Sequence, residues 1–258
     1  MSSDYVLGHE GAGVVTFVGT HVTDLKLGDR VAVEPGQPCH ECYQCSTGSY
    51  NLCQEVKFSG APPNNGSIRR YHVHHSKYLH KLPDSLTFSD GALLEPLSVV
   101  LHSFERAPLR LGAPALILGA GPIGLIALIA AKASGAWPLV ITDIDASRLQ
   151  FAKSIVPECE TYLTPLGNTP EANAGEIIAI FEKVLGSEQP SNIYECSGVH
   201  SAVNTAIYAC RRGGTVMLVG VGKPIMDGLP FMHMSLAEVC WYNLPRFVSQ
   251  LLTSFFQD

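Results

Sequence analysis

Four of the chain's eight cysteines fall within fifteen residues, Cys39, Cys42, Cys45 and Cys53 of "CHECYQCSTGSYNLC". The spacing C-x2-C-x2-C-x7-C lets one loop wrap four thiolates around a tetrahedral zinc. With every coordination position filled by protein, such a site is closed and therefore structural. Its binding energy, on the order of 10 kcal/mol, becomes folding energy. An iron–sulfur cluster is a minor alternative, and four unligated thiols at this density would be an oxidation liability. Cys159, Cys196, Cys210 and Cys240 share no such spacing and read as core or strand-end residues.

A second chemical pattern lies in "PALILGAGPIG", an apolar strand running into Gly119, Gly121, Pro122, Ile123 and Gly124 and then a helix ending near Gly135. Gly119 allows the tight turn, Gly121 lets a pyrophosphate approach the backbone, and Gly124 lets helix pack on strand. The helix N-terminus then faces the phosphates. The next strand, "LVITD", ends in Asp143, about twenty residues past the last glycine, where a ribose-binding acid belongs. A carboxylate there repels a 2′-phosphate by roughly 4 kcal/mol at about 4 Å and an effective dielectric near 20. NAD is therefore expected over NADP. Ile144 supplies no compensating cation, although Arg148 stands nearby in sequence.

A third pair, His9 and Glu10 in "VLGHEGAGVV", offers two metal-ligand types side by side. By itself it reads as a solvated loop.

These groups need elements to position them. Residues 5 to about 83 look β-rich, with branched runs "GVVTFVG" and "DRVAVEP" between glycine, proline and polar turns. From about Leu111 apolar strands ("PALILG", "PLVITD", "ETYLT", "SNIYECSG", "GTVMLVGVG") alternate with helical stretches such as "EANAGEIIAIFEKVLG". Alternation of this kind gives an α/β fold, a doubly wound parallel sheet with helices on both faces. The segment Ser103 to Ala113 is the expected connection. The domains expected are 1–103, 104–239, and an atypical tail at 240–258.

Composition narrows the classes. At 258 residues and 46% hydrophobic content the chain can build one large or two ordinary domains. A net charge of -6, with ten scattered histidines, gives no broad basic face for nucleic acid or an anionic membrane. The longest apolar run, "LIALIAAKA", is too short to cross a bilayer. "MSSDYVLGHE" has no secretory pattern, so a reducing cytoplasm is the expected compartment.

The four-cysteine loop, the dinucleotide pattern and the His-Glu pair together resemble the zinc-dependent medium-chain dehydrogenases. "GALLEPLSV", "GDRVAVEP" and "YECSGV" look closest to the polyol branch, the sorbitol, xylitol and L-arabinitol 4-dehydrogenases. The resemblance covers about residues 5 to 239. It implies a doubly wound Rossmann domain preceded by an irregular, incomplete GroES-like catalytic domain. It also implies a catalytic zinc at His9 and Glu10, with Glu95 as a ligand or a partner of the metal's water. Phe58 would line the substrate pocket, and Ile123, Arg148, Val219, Gly220 and Val221 would lie against the dinucleotide. The implied activity is NAD-dependent oxidation of a polyol to a ketose in carbohydrate metabolism. Zinc would act as a Lewis acid and the nicotinamide would take the hydride. The family is usually homo-oligomeric.

Three departures from the family pattern bear on this expectation. No cysteine precedes His9, where the family places a further catalytic zinc ligand. The last strand of the nucleotide fold, with its Arg-Tyr pair, has no counterpart after "MSLAEV". The tail instead spaces Leu244, Phe247, Val248, Leu251, Leu252, Phe255 and Phe256 as an amphipathic helix would. A truncated or misassembled product, or a splice form, is the expectation these give, with little turnover. The alternative from another class is a non-catalytic, zinc-stapled dinucleotide-binding module.

Overall fold

The computed structural model describes residues 5–186 and 189–244. The chain divides into two compact units between Val99 and Val100. Of the expected amphipathic tail helix, every residue but Leu244 lies outside the described residues.

In the first unit the strands are short because glycine, proline and polar residues interrupt every apolar run. β1 (Gly11–Val14), β2 (Arg30–Val33) and β5 (Leu79–Lys81) form an antiparallel sheet, in which Gly11 faces Val33 and Val31 faces Lys81. The expected strand through "GVVTFVG" stops at Val14, and Phe17 beyond it is 85% exposed. β3 (Gly36–Gln37) and β4 (Lys57–Phe58) make a second small pair flanking α1 (Tyr43–Ser46). Among the described residues, Val15, Leu25 and Val31 form a small buried apolar cluster here. α2 (Phe88–Arg106) closes the unit and continues past the division, so the first part of the expected connection is helical.

The second unit alternates β6 (Ala115–Leu118), α3 (Pro122–Ala133), β7 (Leu139–Asp143), α4 (Ala146–Ile155), β8 (Glu160–Leu163) and α5 (Pro170–Leu185). β9 (Asn192–Glu195), α6 (His200–Ala209), β10 (Thr215–Leu218), α7 (Phe231–Leu236) and β11 (Cys240–Asn243) complete it. Its sheet is parallel, in the order β11-β10-β9-β6-β7-β8. This is the six-stranded order of a doubly wound dinucleotide fold.

Strand alternation divides the core. Ala115 and Ile117 join Leu128, Ala131 and Leu149 on one face, while Leu116 and Leu118 join Ile177, Phe181 and Ala206 on the other. Burying each large side chain stabilises by about 1.5–3 kcal/mol. Helix entry is set locally: Thr169 caps α5 by accepting from the Ala172 N–H, Pro170 follows at its first turn, and Asp145 caps α4.

The sixth strand corrects the expectation that the nucleotide fold lacks its last one. Cys240–Asn243, assigned from sequence to the tail, pairs with Thr215–Leu218, and Trp241 packs with Ala237 and Val239 against the core. Cysteine, tryptophan and tyrosine suit a half-buried strand; the expectation rested on a missing Arg-Tyr pair rather than on strand propensity. No helix among the described residues is long and apolar enough to cross a membrane.

Candidate functional site

The four cysteines converge. Cys42 is the N-cap of α1, Cys45 lies one turn on, and Cys53 ends a 3-10 turn at Tyr50–Leu52. Their sulfurs all lie within 4.8 Å of one another, Cys39 Sγ 3.9 Å and Cys42 Sγ 3.5 Å from Cys45 Sγ. Tetrahedral Zn–S bonds of about 2.3 Å put ligand sulfurs about 3.8 Å apart, so these residues fit zinc, whereas a disulfide would need about 2.05 Å. Backbone N–H groups of Glu41 and Cys42 pull the Cys39 thiol down to about 7, while burial pushes Cys45 up.

The loop is tied to the sheet through a buried acid. Glu34, 1% exposed at the end of β2, accepts from the Tyr50 hydroxyl at 2.8 Å and pairs with His80 Nε2 at 2.9 Å. Its main-chain oxygen is 2.8 Å from His74 Nε2. Sequence reasoning missed Glu34. Its signal was an acid closing the apolar run "RVAV".

His9, Glu10 and Glu95 also converge, with one donor atom from each within 4.8 Å of the others. His9 and Glu10 are exposed and Glu95 is buried, so the cluster is open on one side. Glu95 lies two turns into α2, immediately before Pro96, not at the helix N-terminus where a carboxylate would be commonplace. Burial, then the neighbouring Glu10 charge, pushes its carboxyl up to about 8. The Phe58 ring, 4% exposed, stands 5.4 Å from the His9 ring, so the structure brings this residue to the cluster as well.

In the second unit Gly119 has φ +98°, and a Cβ on Gly124 would overlap the Gly119 carbonyl, so both positions require glycine. Gly121 is the N-cap of α3, with nothing within 4 Å of where a Cβ would stand. No side chain caps α3, and Pro122 and Ile123 open it. The result is a backbone cradle for a phosphate. Asp143, 9% exposed, accepts from the Ala120 N–H at 2.7 Å and the Asp145 N–H at 2.9 Å. Arg148 Nη1 lies 3.7 Å from Asp143 Oδ2 with its side chain 57% exposed. The cation that Ile144 does not supply therefore stands one helical turn further on, loosely held. Val219 and Gly220 are half-buried beyond β10, and Val221 is 75% exposed.

A doubly wound dinucleotide fold carrying a phosphate cradle lies in one chain with a closed thiolate cluster and an open His-carboxylate cluster. Residues 1–84 match the family described as Alcohol dehydrogenase GroES-like domain, and residues 122–250 match Zinc-binding dehydrogenase. The chain belongs to the zinc-binding dehydrogenase family. It is 50% identical over 243 residues to L-arabinitol 4-dehydrogenase of Aspergillus oryzae, covering 93% of this chain and 63% of the relative. To sorbitol dehydrogenase of Gallus gallus it is 45% identical over 234 residues, 91% of this chain and 64% of the relative. A solved dehydrogenase from Sinorhizobium meliloti 1021, bound to NADP, superposes with a TM-score of 0.85 at 26% identity, covering 96% of this chain and 70% of that one. The chain thus spans a little under two thirds of the length of the curated relatives it matches.

Proposed function

We propose that the protein is a zinc-containing, NAD-dependent polyol dehydrogenase acting on sorbitol, xylitol or L-arabinitol in carbohydrate metabolism. The observation that carries this reading is the meeting of His9, Glu10 and Glu95 within 4.8 Å beside Phe58. Three protein donors with one open side match the ligand count of a catalytic zinc site. Cys39, Cys42, Cys45 and Cys53 would hold a second, structural zinc. When bound, the catalytic metal supplies a Lewis acid for a secondary alcohol, and the nicotinamide supplies the hydride acceptor.

The chain's own residues do the rest. Glu95, buried and fixed on a helix, sets the inner wall of the cluster, and the Phe58 ring gives that wall an apolar surface against which carbon can rest. Gly119, Gly121, Pro122, Ile123 and Gly124 would receive the pyrophosphate, and Val219, Gly220 and Val221 the far half of the dinucleotide. Asp143 would accept the adenosine ribose hydroxyls on the lone pairs that its two N–H partners leave. A 2′-phosphate would meet its charge, which favours NAD. Arg148 beside it moderates that preference. Reduced cysteines and a negative net charge fit a cytoplasmic enzyme with a small neutral substrate, and a homo-oligomer is part of the reading.

The open cluster has only nitrogen and oxygen donors among the described residues, and thiolates suit zinc better. We therefore expect weaker metal retention there than in the cysteine loop, and slow turnover that rises with added zinc. The test is NADH formation from each polyol with zinc titrated in, for the unmodified chain and Glu95→Gln. Zinc-dependent turnover abolished by the substitution supports the reading. Turnover indifferent to both zinc and Glu95 refutes the site; binding of zinc and NAD with no turnover would favour a non-catalytic module.

A further inference from the structure

A doubly wound sheet takes its ligand in the crevice where successive connections run in opposite directions. Here that point lies between β6, which leads outward to β7, and β9, which leads the other way to β10. Glu195 ends β9 at this point with 0% exposure. Its Oε1 accepts from the Ser197 N–H at 2.9 Å and from the Ser197 hydroxyl, and its Oε2 accepts from the Gly198 N–H at 2.9 Å. Its main-chain oxygen takes the N–H groups of both Val219 and Gly220 at 2.8 Å. One residue therefore ties the turn after β9 to the turn after β10.

The two turns are also interlocked through glycine. Gly198 has φ +70°, and a Cβ on it would stand 2.6 Å from the Val221 carbonyl. A Cβ on Gly220 or Gly222 would overlap the Gly198 backbone. On the other side, a Cβ on Gly119 would press on Ser197 at 3.3 Å. The Glu195 turn is therefore wedged between the phosphate cradle and the segment Val219–Val221. No cation pairs with Glu195 among the described ion pairs. Burial pushes its carboxyl up while the three donors draw it back. Burying a carboxylate on hydrogen bonds alone is an expensive way to close a turn, and it is spent where backbone position decides what a ligand meets.

We propose that Glu195 is a positioning residue for the second mononucleotide of the bound dinucleotide: by holding Ser197 and Gly198 against Val219 and Gly220, it fixes the ledge Val219–Val221 on which that half rests. The adenosine ribose, received at Asp143 at the end of β7, lies on the other side of β6 from this turn. The inference rests on the dinucleotide reading above.

The experiment compares binding of AMP and of NADH, by calorimetry, to the unmodified protein, Glu195→Gln and Ser197→Ala. Glutamine sets an NH2 group against the N–H of Ser197 or Gly198, leaving a buried donor unmet. The NADH Kd should then rise about tenfold or more while the AMP Kd stays within about twofold. Ser197→Ala, which removes one donor and should fold if glutamine does not allow it, should shift NADH alone in the same direction by less. Parallel loss of AMP and NADH, or no change in either, overturns the positioning role, because a general loosening of the sheet would not discriminate between the halves. If the unmodified protein binds neither AMP nor NADH, the dinucleotide reading itself falls and the inference with it.

Discussion

The two units are held together by different means. The second unit carries apolar cores on both faces of its sheet, with Phe181, Leu116, Ile117 and Leu128 at or near zero exposure. The first unit has three buried residues in its apolar cluster. On the proposed reading its order would depend instead on zinc in the cysteine cluster and on the Glu34 network that joins Tyr50, His80 and His74. Hydrophobic burial is non-directional and tolerant of detail, whereas a metal cluster and a buried carboxylate demand particular atoms in particular places. The first unit should accordingly be conditional on its ligands and the second should not.

The largest effect expected of this contrast follows zinc removal. Structural zinc is worth on the order of 10 kcal/mol, more than so small an apolar cluster supplies. Chelation, or Cys39→Ser, should abolish amide-exchange protection in β1, β2 and β5 while the six-stranded sheet keeps its own. Equal loss in both units would erase the distinction.

Next in size is a core truncation. Phe181→Ala should cost about 3–5 kcal/mol of stability, read as a lowered denaturant midpoint for the second unit with zinc content unchanged. A smaller cost, about 1–3 kcal/mol, is expected for Glu34→Gln, which turns an NH2 toward the Tyr50 hydroxyl or His80. Thermal melts should show it, and the cysteine loop should release zinc faster. If Glu34→Gln melts like the unmodified protein, the polar network is decorative. The smallest change concerns specificity: Asp143→Ser should shift the NAD-to-NADP affinity ratio about tenfold toward NADP, about 1.4 kcal/mol. Titration of both cofactors checks it, and a ratio that does not move would show that Arg148 already neutralises Asp143.

What could be seen in the sequence follows the same division. The cysteine loop and the glycine turn were legible because their chemistry is written in local spacing, and the alternating strands from Ala115 to Leu218 because their period is local too. Glu95 was different. Nothing in its own neighbourhood places it beside His9 and Glu10, which lie 85 or more residues away; only the family resemblance brought them together. β11 was passed over because an expected residue pair was missing, though Trp241 carried the signal of a packed strand. Glu34 and Glu195 were both overlooked, and they share a signature: a buried acid at the C-terminal end of a short strand, Glu34 just past β2 and Glu195 the last residue of β9. A charge in that position is costly unless donors converge on it, so it marks a turn whose geometry matters.

The most direct test of the account is the metal content of the purified protein after equilibration with zinc. Two zinc ions per chain are predicted: one retained through dialysis and lost in Cys39→Ser, and a second, more weakly held, lost in Glu95→Gln. A single zinc unaffected by Glu95→Gln would contradict the catalytic assignment of His9, Glu10 and Glu95, whatever the dinucleotide site does.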